Sequence, residues 1–147
     1  MKKLIAYNTL IHLGILIIST VSMPYLGILE LALLIYGSPP IFNAIFLYLL
    51  SRYTHQKSYW SIILPVISLV NYLLLGLLVN YLGFWETFIR NNTISQEDLS
   101  IEITSSLLEP SQIIFVSLLY LATAYLFQLL ILRKETNHGI SRSKAFK

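Results

Sequence analysis

Cysteine is absent from the 147 residues, and only 12% of them carry a charge, about half the usual share. Without cysteine there is no disulfide framework and no thiolate set for a structural zinc. Acids are scarcer still, seven in all, against ten Lys and Arg. The few charges are also missing from long stretches. From Leu4 to Ser51 the one ionisable acid is Glu30, and Ser58–Trp85 and Pro110–Leu132 contain no Asp, Glu, Lys or Arg. These blocks run to 48, 28 and 23 residues, and a helix needs about 20 to cross a bilayer. None has room for the charged face that a water-soluble helix carries. A cytosolic enzyme, a nucleic-acid binder and a disulfide-stapled secreted domain are thereby excluded. What is present, 56% hydrophobic residues and a mean hydropathy of +0.70, belongs to a small integral membrane protein.

The charges that remain order the chain across the bilayer. Lys2, Lys3, Arg52, Lys57, Arg133, Lys134, Arg142, Lys144 and Lys147 fall in one set of loops and termini with Glu135 as their only acid, a net of +8. Arg90 shares the other set with Glu86, Glu97, Asp98, Glu102 and Glu109, a net of −4. Short loops rich in Lys and Arg stay in the cytoplasm, so both termini and the Arg52–Lys57 loop are expected inside. The number of crossings is then even. Four fit, at about 4–22, 26–52, 59–83 and 110–132, joined by a tight outer turn at Ser22–Tyr25, the basic inner loop and an outer loop at 86–109. Tyr53, Tyr59 and Trp60 then fall at the inner interface and Tyr25, Tyr81 and Trp85 at the outer, where amphipathic rings prefer to sit.

Lys2-Lys3, an apolar run and small residues at Thr20 and Ser22 also fit a secretory signal cut after Ser22. Asn8 and His12 interrupt that run, however, and Pro24 would follow the cut closely, which favours a retained span. The Asn91-Asn92-Thr93 sequon lies on the outer side and would accept a glycan only in a eukaryotic secretory pathway.

The second block contains Tyr36-Gly37-Ser38-Pro39-Pro40 near its middle. The prolines remove two helical donors and leave the carbonyls of Ile35 and Tyr36 without their usual partners. Residues 40–52 alone would rise only about 20 Å, too little to cross a core about 30 Å thick, so a single span kinked at Gly37–Pro40 is expected. Such breaks mark substrate sites in some transporters, but most are packing kinks rescued by neighbouring groups. In the outer loop, Ser95-Gln96-Glu97-Asp98 resembles a helix start with Leu99, Ile103 and Leu107 on one face, and a short surface helix is expected there. The period-two alternation from Leu99 to Thr104 is the competing strand signal.

Chemistry-bearing motifs are few. His12, His55 and His138 lie far apart with no acid at metal-ligand spacing, and no phosphate-cradling loop, nucleophile elbow or intramembrane carboxylate pair is present. Neither a catalytic site nor a metal or other cofactor is expected. Depth is the more useful guide. At about 1.5 Å per residue from the inner ends, His12 lies roughly 12 Å deep, Asn43 roughly 13 Å and Asn71 roughly 18 Å, so the three are expected to share a polar layer. Asn8 lies one turn from His12 on the same helix face. Two readings are open: an interhelical hydrogen-bond cluster that fixes helix register, each bond worth on the order of 1 kcal/mol, or a proton or solute path with His12 as its titrating member.

Glu30 is the other intramembrane candidate, since a carboxylate in a span is functional by default. Its place near the outer end of the second span makes a water-facing interfacial acid the expectation and a coupling carboxylate the alternative. The tail at 133–147 carries five basic residues and is too polar to pack a core; it is expected to be a disordered anchor on anionic lipid, with docking of a cytoplasmic partner as the alternative.

The double-lysine start, four apolar spans and the Tyr36-Gly37-Ser38-Pro39 stretch resemble small uncharacterised membrane proteins encoded in Bacillus-type genomes and their prophages. The serine such proteins carry two places after the first proline is Ile41 here. The resemblance implies an all-α fold and a bacterial plasma-membrane location, and no activity. The reading is a four-span bundle acting without catalysis as an accessory, immunity or assembly-partner protein, its partners the lipid bilayer and another membrane protein or a second copy of itself. The alternative is a small transporter or channel subunit using Glu30 or the His12/Asn43/Asn71 layer.

Overall fold

The computed structural model describes residues 2–53, 60–93, 95–96, 99–100 and 105–144, and the side chains of 6–52, 60–93 and 105–131. The basic loop around Lys57, His55, the acids Glu97, Asp98 and Glu102 and the side chains of the tail, with its expected lipid contacts, lie outside the described residues.

The architecture is all-α. Helix α1 (Lys2–Ser22) ends in a 3₁₀ turn at Met23–Tyr25, where Pro24 removes a helical donor. The second span is one continuous helical path made of α2 (Ile28–Ala32), a π-turn at Leu33–Gly37 and α3 (Ser38–Tyr53). Helices α4 (Trp60–Tyr81), α5 (Phe84–Asn92) and α6 (Pro110–Lys144) complete the fold. Four stretches are long and apolar enough to cross a membrane: Ala6–Tyr25, Ile28–Arg52, Trp60–Tyr81 and Pro110–Ile131. They match the four expected spans to within a few residues and make this a multi-pass membrane architecture. The outward faces agree with that reading. Ile114, Leu118, Tyr125 and Leu130 on α6 are all about 60% exposed, and a continuous apolar face of this kind is at home in lipid and a liability in water.

The break in the second span takes the form of a wider turn rather than a gap. Ser38 donates its N–H to Leu33 O, five residues back, and its hydroxyl to Leu34 O at 2.5 Å. Tyr120 on α6 reaches across and donates its hydroxyl to Ile35 O at 2.7 Å. The carbonyl that Pro39 cannot serve is therefore served by a neighbouring helix, as a backbone acceptor in lipid requires.

Two expectations are overturned. Ser95–Gln96 and Leu99–Ser100 form a two-rung antiparallel ladder, so the surface helix is absent at those residues: the period-two pattern wins over the helix-start signal. A short amphipathic helix stands instead at α5, just before it. Gly83 (φ +68°) turns the chain from α4 into α5, a left-handed conformation that costs glycine nothing. Trp85, expected at the interface, is 4% exposed and stacks on Phe88 at 5.3 Å, because α5 lays its apolar face on the bundle. Finally, α6 does not stop at the membrane. It continues as helix to Lys144, and its 35 residues rise about 52 Å against a core about 30 Å thick. Residues 133–144 of the basic tail are thus the end of a long helix rather than disordered.

The core lies in two apolar clusters. One gathers Met23, Leu31, Ile35, Tyr72, Leu75, Val79, Trp85, Phe88, Leu107, Val116 and Tyr120; the other holds Phe46, Leu47, Leu50, Leu64 and Ala124. On α4 the boundary between them falls between Leu64 and Tyr72, and on the second span between Ile35 and Phe46.

Candidate functional site

The polar residues occupy that boundary. On α1, Asn8, His12 and Ser19 are spaced by four and seven, which stacks them on one face, and all three are buried. Asn43 on α3 and Ser68 on α4 are each 1% exposed. Ser68 is the hub. Its Oγ lies 2.7 Å from His12 Nε2, accepts a hydrogen bond from Asn43 Nδ2 at 2.8 Å, and sits 3.2 Å from the carbonyl of Leu64. His12 Nδ1 lies 2.9 Å from Asn8 O. A carbonyl only accepts, so Nδ1 carries a proton and donates it. In the neutral ring Nε2 then accepts from the Ser68 hydroxyl, and one directional chain runs from Asn43 through Ser68 and His12 to the backbone of α1. Three helices are joined through a single serine oxygen.

His12 and Asn43 thus share Ser68 Oγ, while Asn71 lines the adjoining cavity and bonds neither of them. Its Nδ2 donates to Ile67 O of its own helix at 2.9 Å. The buried stripe of α4 runs through Ser61, Leu64, Ser68, Tyr72, Leu75 and Val79, and Asn71 lies on its flank. Depth placed Asn71 near the layer, but azimuth, which depth does not contain, decides what it can reach. Ser68 was missed although its depth, about 12 Å from Trp60, fits better than that of Asn71. The signal was its place on the three-and-four-residue spacing of that stripe.

Beside the hub lies a cavity of about 30 Å³ lined by His12, Ser19, Ser68, Asn71, Tyr72 and Tyr120, with Pro39 and Ile35 of the broken span on its wall. Among the described residues, four buried polar atoms lack a partner: both amide atoms of Asn8, Oδ1 of Asn43 and, at the cavity itself, Oγ of Ser19.

Glu30 takes no part in this site. It is exposed, in the first turn of α2, and its Oε2 accepts the backbone N–H of Gly27 at 2.6 Å. A carboxylate in this position satisfies one of the free donors at a helix start and lies at the favourable end of the helix dipole. The carboxylate thus serves as a cap at the start of α2.

The other end of the molecule carries a second organised feature. Trp85 and Phe88 bury one face of α5, while Asn91 Nδ2 donates to Pro24 O at 3.0 Å and Asn92 Nδ2 to Leu26 O at 3.1 Å. The α5 helix is thereby tied to the turn between the first two spans, with Glu86 and Arg90 exposed on its far side. Among the described residues no three His, Asp or Glu side chains converge to hold a metal. No family model matches the chain, and no curated protein or solved structure is similar to it.

Proposed function

We infer that the protein is a non-catalytic accessory of a bacterial plasma membrane, an immunity or assembly-partner protein that works by presenting a fixed polar surface to another membrane protein. The observation that carries this reading is the pinning of α5. An amphipathic helix of nine residues has little stability of its own, yet two asparagines and two buried aromatics hold it against the Met23–Leu26 turn. That construction suits a surface meant to be recognised. The positive-inside rule puts it on the outer face and the basic end of α6 in the cytoplasm, where it would meet anionic lipid or an acidic partner.

A second reading, a transporter or channel subunit, is favoured by the π-turn and prolines beside the cavity, because broken helices build substrate sites in transporters. A cavity of about 30 Å³ accommodates water and nothing much larger, so solute passage would require a larger opening or an oligomer. The test uses photocrosslinking residues at Glu86 and Arg90 in native membranes, alongside flux measurements on the purified protein in vesicles. Discrete crosslinks to one membrane protein at both positions, with tight vesicles, support the accessory role. Solute or ion flux from the purified protein, with no discrete crosslink, would replace it by the transporter.

A further inference from the structure

The π-turn of the second span is fastened on one side and free on the other. Towards α6, Tyr36 donates its hydroxyl to Gln112 Oε1 at 3.1 Å and sets its ring edge-on to Phe115 at 5.6 Å, while Tyr120 donates to Ile35 O at 2.7 Å. Towards α1 lies the cavity of about 30 Å³, with Leu34, Ile35 and Pro39 on one wall and Ile15, Leu16 and Ser19 on the other. The surface it exposes is almost wholly apolar, so it is a dry void. A void in a packed interior forfeits contacts from the atoms around it. That cost falls if the turn closes on α1.

The turn itself is built to change. Ser38 donates its N–H to Leu33 O, the five-back bond of a π-turn, and its hydroxyl already holds Leu34 O, the four-back acceptor of an ordinary α-turn. Tightening the coil needs only the N–H to pass from one carbonyl to the next, and that step rotates α2 against α3. Pro39 and Pro40, without N–H groups, do not tie the two halves together across this point. The halves also pack in different cores: Leu31 and Ile35 with Met23, Trp85 and Phe88, but Phe46, Leu47 and Leu50 with Leu64 and Ala124. Whatever moves α2 also moves α5, since Asn91 and Asn92 bond the carbonyls of Pro24 and Leu26 in the turn that leads into α2. At its other end α5 hangs from Gly83, whose φ is +68° and where a Cβ would meet nothing within 4 Å among the described residues.

We propose that α2, the 23–26 turn and α5 form one arm that pivots at the π-turn and at Gly83, and that the arm closes by filling the dry cavity against α1. The surface offered to a partner is thereby linked to the middle of the membrane. A partner that seats better on α5 in one position of the arm selects that position, and the π-turn takes up the difference. The regulation rests on the accessory reading for its partner, whereas the arm is a property of the chain alone. Crosslinking at α5 in native membranes tests the first, and the purified protein tests the second.

The experiment is fluorine NMR relaxation dispersion on the full chain in lipid nanodiscs. Single cysteines carrying a trifluoromethyl tag replace the exposed residues Leu29 on α2, Arg90 on α5 and, as the control on the inner half of the same span, Ile45 on α3. Exchange between two states is expected at Leu29→Cys and Arg90→Cys with one shared rate and population, and none at Ile45→Cys. Ser19→Val places carbon in the cavity, so closing has no void left to remove. It should lower the closed population at both reporters by about threefold, the factor that a cavity of about 30 Å³ is worth. Ser19→Thr, which adds a single methyl group, should act in the same sense and by less. Absence of exchange at Leu29→Cys, different rates at Leu29→Cys and Arg90→Cys, or exchange of the same kind at Ile45→Cys would overturn the proposal. So would populations that neither Ser19 variant changes.

Discussion

At the scale of single residues, one serine oxygen holds contacts from three helices. Ser68→Ala leaves His12 Nε2 and Asn43 Nδ2 without their partner at membrane depth, which is expected to cost about 1–3 kcal/mol in detergent unfolding. Asn71→Leu breaks only a bond within its own helix, at the edge of the cavity, and should cost clearly less than Ser68→Ala. Asn43→Leu combined with Ser68→Ala should be far less than additive, because either change alone empties the shared contact. Glu30→Gln should leave fold and membrane insertion intact, since an amide oxygen still accepts the Gly27 N–H. His12 and Asn43 were legible in the sequence because such polar side chains are rare within spans. Ser68 was passed over because a serine in a span ordinarily bonds its own helix; its spacing from Ser61, Leu64 and Tyr72 was the one sign of the face it takes. Asn71 stands at the cavity but off the hub, because depth fixes height along a helix and leaves rotation undetermined.

The elements show how a sequence that breaks a helix still builds a span. Pro39 removes a donor, Ser38 and a π-turn absorb the local shortage, and Tyr120 supplies a donor from α6. Tyr120→Phe should therefore destabilise the bundle by about 1–3 kcal/mol, the cost of an unmet buried acceptor. In a Pro39→Ala background, where residue 39 regains its N–H, the same change should cost clearly less. Unfolding titrations of the four proteins in one detergent measure that coupling, and equal costs in both backgrounds would show that the tyrosine does not serve the break. Unmatched carbonyls at Ile35 and Tyr36 were legible from the prolines alone; the tyrosine that answers one of them lies 85 residues from Ile35 and left no local trace. The α5 helix was hidden differently. Its apolar positions Phe84, Trp85, Phe88 and Ile89 follow helical spacing, but a tryptophan close behind a span also reads as an interface anchor.

For the whole molecule, the charge-free blocks made the spans legible to within a few residues, because bilayer thickness dictates their length. Contacts within lipid are set by shape and by a few polar pairs, so the packing behind those spans was less so. Gly76 is one such position: a Cβ there would meet Leu108 Cδ2 at 2.5 Å, an approach of the 105–109 segment to α4 that only the folded chain reveals. In the orientation we propose, the +8 side of the four-span bundle faces the cytoplasm and α5 and the ladder face outward. A chain without cysteine allows a direct measurement of this, with single cysteines placed at Ser95 and Ser143 and treated in intact cells with a membrane-impermeant thiol reagent. The account predicts labelling at Ser95 in intact cells and at Ser143 only after the membrane is opened; labelling of Ser143 from outside would contradict it.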